Sequence, residues 1–111
     1  MVKNIFHELA EKYESGEWEW RKGLGPVFSD DKPSCCILGG IARIARNRDN
    51  ISEHYALNYD TWKLYQPYVE FLTTNFTRLQ VWKWNDASDR TKEEVIELLK
   101  SAGDAWGKQY G

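Results

Sequence analysis

Cysteine and proline are scarce in this 111-residue chain, and long apolar runs are missing altogether. The two cysteines, Cys35 and Cys36, are neighbours, so they cannot staple distant segments together, and a disulfide scaffold is excluded. No stretch approaches the roughly 18 apolar residues of a membrane span. The opening MVKNIFHELAEKYESGE carries acidic residues and no apolar core, so a secretory leader is not expected. With 15 basic against 17 acidic side chains the net charge is −2, which argues against a face built for long nucleic acid or an anionic membrane. A reducing, cytoplasmic setting is the resulting expectation. No complete catalytic, metal or cofactor motif is present, and none of these groups is expected.

What the chain has in abundance is aromatic residues. They make up 14% of it and include six tryptophans, in a globular balance of 41% hydrophobic and 29% charged residues. A single domain of this size cannot fully bury sixteen aromatic rings, so some are expected to line a groove or an interface.

Helical periodicity runs through much of the sequence. Ile5, Phe6, Leu9 and Tyr13 form one stripe of a first helix over Val2–Ser15, which Gly16 ends. Residues 16–33 read as a long ordered loop, punctuated by glycine and proline but held by Trp18, Trp20, Val27 and Phe28. Ser34 is the expected cap of a second helix over Cys35–Asn47, with Ile37, Ile41, Ile44 and Ala45 buried and arginines at its C-terminal end. Gly39 and Gly40 within it cost about 1 kcal/mol each against alanine, which implies a close approach by something else. A further helix is expected over Ser52–Gln66. Pro67 should then start another, with Tyr68, Phe71 and Leu72 buried. Thr77–Trp84 reads as extended.

The last helix has the clearest start. Thr91 and Glu94 form a T-x-x-E capping box, and Val95, Leu98, Leu99 and Ala102 follow at helical spacing. Gly103 is the expected stop, leaving Trp106 and Tyr110 on a tail that can dock back onto the domain. The fold class is therefore mainly α, a compact single-domain bundle of four to five helices with a long ordered loop after the first.

Three segments could carry chemistry. Trp82, Trp84, Asn85, Asp86, Arg90 and Thr91 gather stacking rings, directional hydrogen-bonders and a cation at a helix N-terminus, which suits a nucleotide-like ligand. The same residues would equally make a purely structural turn. Trp18, Trp20 and Arg21 in the first loop could form an aromatic lid with a basic rim, or one tryptophan could plug the core while the other covers a helix. Cys36, with Gly39 and Gly40 on the same helix, marks a close-approach surface. A cysteine in a helix's first turn can be a nucleophile, but neither His7 nor His54 is tied to it, and small buried side chains are the plainer account. His7 reads as structural.

The segments Trp20-Arg21-Lys22-Gly23, Cys36-Ile37-Leu38-Gly39-Gly40-Ile41 and Trp84-Asn85-Asp86 before Arg90-Thr91-Lys92-Glu93-Glu94-Val95 stand in order. In these the chain resembles a family of small uncharacterised proteins of bacteriophages and actinobacteria. Its members carry C-x-x-G-[AG], then W-N-D and R-T-x-x-E-V. Ala87-Ser88-Asp89 stands where members often have Pro-Gly. The resemblance implies a helical fold and a phage or prophage source, and no activity. Three functions are then open. The first is a non-enzymatic phage accessory protein that sequesters a small nucleotide-like host immune signal. The second is an adaptor that blocks a host enzyme, and the third is a small hydrolase or transferase using Cys36 or Asp86. Homo-oligomerisation through exposed aromatics is compatible with the first two.

Overall fold

The computed structural model describes residues 3–23, 33–48 and 59–110, and within these it is mainly helical. Helix α1, Ile5–Ser15, begins with its apolar stripe, three residues later than the expected start at Val2. The cause is Asn4, whose side chain accepts from the Phe6 and His7 amides at 3.1 and 3.2 Å and so caps the helix there. Gly16 ends it in the left-handed region at φ 82°, as expected of a glycine stop.

Two short strands follow, β1 (Glu19–Trp20) and β2 (Ser34–Cys35), paired in parallel. Ser34 is thus a strand residue and does not cap α2. Helix α2, Ile37–Arg48, starts after Cys36, whose carbonyl accepts from Gly40 N at 2.9 Å and whose Sγ accepts from Gly39 N at 3.4 Å. The strand pairing holds Ser34 and Cys35 extended, and this moves the cap two residues along. Val27 and Phe28, meant to order the first loop, lie outside the described residues, as does the stretch of the expected third helix before Tyr59.

Helix α3, Tyr59–Leu72, runs straight through Pro67. One helix therefore stands where two were expected. An interior proline costs about 3 kcal/mol in isolation, but Pro67 is exposed while Tyr65 and Leu72 on the other side of the helix are buried. Thr73–Thr77 continues as a single π-turn, Arg78 turns the chain at φ 63°, and Val81–Asn85 forms the short helix α4. This segment was expected to be extended. Its β-prone side chains find no strand partner among the described residues, and burying Val81 and Thr77 against the helices decides the conformation instead.

Helix α5, Lys92–Tyr110, starts where expected. Glu94 N donates to Thr91 Oγ1 at 3.2 Å, and Thr91 N donates to Glu94 Oε1 at 3.0 Å. It does not stop at Gly103. A side chain there would collide with the His7 ring, so glycine serves a close helix crossing and not an end. The α1–α5 seam is completed by Asn4 Nδ2 donating to Gly103 O at 2.8 Å, by His7 with Asp104 at 2.9 Å and by Lys100 with Glu14 at 2.8 Å. Phe6, Leu9 and Tyr13 of α1, Ile37 and Ile41 of α2, and Val95, Leu99 and Ala102 of α5 form the centre of the core. Each such fully buried side chain of leucine or isoleucine size contributes about 1.5–3 kcal/mol. The close approach expected at Gly40 comes from Leu9, whose Cδ atoms would lie 2.5 and 3.0 Å from an added Cβ. The packing partner is a core side chain.

Candidate functional site

The segment around α4 is organised by one side chain. Asn85, 1% exposed, satisfies all its hydrogen-bonding capacity across three separate stretches of chain. Its Oδ1 accepts from Trp20 Nε1 at 2.7 Å and from the Ile37 amide at 3.1 Å, so it tethers β1 and caps the free start of α2. Its Nδ2 donates to Arg21 O at 3.1 Å and to Asp86 Oδ1 at 2.9 Å. Asp86 in turn accepts from Gly23 N at 2.9 Å, where a φ of 93° favours glycine, and Lys22 Nζ donates to Ser88 O at 3.1 Å. Trp20, Arg21 through its carbonyl, Cys36 through the adjoining turn, Asn85 and Asp86 are therefore brought together. Their polar atoms are turned on one another.

A second group lies at the start of α5. The Arg90 guanidinium sits 3.7 Å from the centroid of the Trp84 ring, while Nε donates to Trp84 O at 2.9 Å and a terminal nitrogen pairs with Glu94 at 3.1 Å. Thr91 is used in the capping box. Beside them an open groove of about 470 Å³ has Phe76, Trp84 and Leu98 as an apolar floor and Glu93, Glu94 and Glu97 at its rim. Glu94 is neutralised by Arg90. Glu93 and Glu97 have no hydrogen bond or ion pair among the described residues.

Trp82 belongs to neither group. Two residues before Trp84 on the same helix, it points the opposite way, because successive residues are rotated by about 100°. Its ring is 42% exposed, and its Nε1 donates to Gln80 Oε1 at 2.6 Å. Lys83 Nζ lies 5.4 Å from its centroid. Trp18 is apart again, buried in the core with Lys12 against its ring. Of the Trp18–Trp20 pair, then, one fills the core and the other is pinned to Asn85, so the two do not form a lid.

Both thiols are buried. Cys35 is buried, and burial pushes its thiol up to about 12 despite a hydrogen-bonding contact with Tyr13 Oη at 3.5 Å. We expect iodoacetamide at pH 8 to leave Cys35 of the native protein unmodified and to alkylate it once the chain is denatured, as peptide mass mapping would show. Because the folded state favours the neutral thiol, its contribution to stability is complete below pH 9 and is lost as pH climbs toward 12. Burial also raises the Tyr13 hydroxyl, which adds to alkaline sensitivity in the same direction. Among the described residues no group of three or more His, Cys, Asp or Glu side chains could hold a metal ion, and no helix is long and apolar enough to cross a membrane.

The sequence had not marked Phe76, Glu93, Glu97 or Leu98 as site residues. Phe76 carries no local signal, since only the π-turn brings it beside α5. The three carboxylates at 93, 94 and 97 share a helix face by spacing alone and could have been noticed.

A model of a protein family matches residues 10–105, a span that holds the Asn85 clasp, the groove and Trp82; its description is a family of unknown function, DUF6197. The chain belongs to DUF6197. No curated protein and no solved structure matches it. This DUF6197 chain must therefore be read from its own surfaces.

Proposed function

We propose that this DUF6197 protein is a non-enzymatic binding module that takes a cationic, partly apolar segment of a partner protein in the groove over Trp84. The carrying observation is the pairing of an open aromatic floor with two carboxylates, Glu93 and Glu97, that make no hydrogen bond or ion pair among the described residues, Glu97 feeling only the longer-range charge of Lys100, which is itself paired with Glu14. A positive side chain entering there meets carboxylates with room for a direct ion pair beside a low-dielectric floor, and its aliphatic stem covers Phe76 and Leu98. The nucleotide-like ligand expected from the sequence needs a free cation at this helix start. Arg90 is already engaged by Trp84 and Glu94, and the first turn of α5 carries Glu93 and Glu94. The sign of the site favours a basic partner over a phosphate. With the phage or prophage source that the motif resemblance implies, that partner would be a host protein, and blocking it is the natural use of so small a module.

The test is a tryptophan-fluorescence titration with a short peptide alternating arginine and leucine, beside the same peptide with glutamate for arginine and beside ATP. The basic peptide should saturate. Glu93→Gln with Glu97→Gln should weaken it about tenfold, equivalent to about 1.4 kcal/mol. Saturation by ATP and not by the peptide would return the site to the nucleotide reading.

A further inference from the structure

A segment of the required chemistry exists on the chain itself, on the far side of α4. Leu79 is 46% exposed on the turn leading into α4, and Trp82, three residues on, is the helix's outward ring. Gln80 satisfies the Trp82 indole N–H within the chain. The indole therefore projects as an apolar body already held in one orientation, and a rigid aromatic of this kind makes a strong anchor because little entropy is lost on docking. Lys83 sits over the ring, Arg78 stands on the same turn, and neither has a carboxylate partner among the described residues. One side of α4 is thus basic and apolar. The other borders the acidic, aromatic groove.

We infer that a second copy of this chain docks its Trp82–Lys83 knob, with Arg78 and Leu79, into the groove formed by Phe76, Trp84, Leu98, Glu93 and Glu97. The inference rests on the groove reading above and names the groove's occupant. Knob and groove lie on opposite sides of a five-residue helix, so one chain cannot satisfy itself. The contact is head-to-tail, uses different surfaces on the two copies, and propagates or closes into a ring. Self-association also covers the groove, so a basic partner has to displace a neighbouring copy in order to bind.

Sedimentation velocity over a concentration series tests this. Wild-type protein should gain mass with concentration and lose it at high salt, where charge attraction is screened. Trp82→Ala with Lys83→Ala removes the knob, and Glu93→Lys with Glu97→Lys removes the groove. All four positions are exposed, so circular dichroism should be unchanged. Each double variant alone should associate at least about tenfold more weakly. Mixed one to one, the two should form dimers and nothing larger, because one sound knob and one sound groove remain. If the wild type stays monomeric while the arginine–leucine peptide still binds, self-association is overturned and the groove reading stands. If neither occurs, both fail. If either variant alone assembles like wild type, or the mixture stays monomeric, a different surface carries any assembly and the inference is wrong.

Discussion

Replacing Asn85 with alanine should lower stability by about 3 kcal/mol, with a fall in Tm on the order of 10–15 °C in thermal melts. The loss is large because the substitution strands more than one buried group. The Ile37 amide and the Trp20 indole N–H both lose their acceptor, and Arg21 O loses a donor. Asn85→Asp separates these contributions. Aspartate can still accept from Ile37 and Trp20, but it cannot donate to Arg21 O, and it sets a second carboxylate against Asp86. Burial and the Asp86 carboxylate should outweigh the two N–H donors and raise its pKa in the folded protein above the ordinary ~3.9. A raised pKa gives stability that is present at low pH and lost as pH increases, so Asn85→Asp should approach wild type near pH 4 and diverge from it at neutrality. Asn85→Ala should keep a roughly constant deficit over the same range. A neutral-pH deficit below about 1 kcal/mol for both variants would show that the clasp is dispensable.

The functional consequence runs through α4. Five residues make too short a helix to be stable alone, so the directions of Trp82 and Trp84 depend on what holds its ends. Asn85 and Asp86 hold the C-terminal end against β1 and the start of α2, and buried Val81 holds the other. Loosening the clasp should disturb the groove and the knob together, even though Asn85 faces neither.

This dependence explains how much of the site could be read from the sequence. The Thr91–Glu94 box, the guanidinium beside Trp84 and the acidic first turn of α5 are local, and local spacing revealed the start of that helix to the residue. The clasp is not local. Trp20 and Ile37 stand 65 and 48 residues from Asn85, and no periodicity links them. A W-N-D triplet reads as a turn with two rings and two hydrogen-bonders, and nothing in it says that the asparagine is the most buried of the three. The opposed directions of Trp82 and Trp84 were hidden for a related reason. In an extended segment, residues two apart share a face; in a helix they oppose. An extended 77–84 would present both rings on one face, and the π-turn and α4 divide them between two.

The end of α5 supplies the second large effect. Trp106→Ala should cost about 3–4 kcal/mol, measured by denaturant unfolding with unchanged m. On a tail beyond a glycine stop that did not dock back, Trp106 would be nearly neutral to substitution. In the structure it stands a further turn along an unbroken helix. Its ring lies 5.0 Å from Phe71, 4.9 Å from Tyr68, 4.3 Å from Tyr110 and 5.7 Å from Phe6, measured between centroids. Such edge and tilted contacts add about 0.5–1.5 kcal/mol each beyond burial. They connect α5 to both α1 and α3, so the loss is not confined to a fraying end. Tyr110→Ala is the control, because that ring is 59% exposed and its removal should cost about 1 kcal/mol or less. Glycine 103 thus has opposite meanings in the two views. As a stop it would free everything after it, but as a gap for the His7 ring it lets α1 and α5 approach closely enough for Phe6 to reach Trp106. Equal and small effects at Trp106 and Tyr110 would favour the stop, and a difference of about 2 kcal/mol or more would favour the continuous helix.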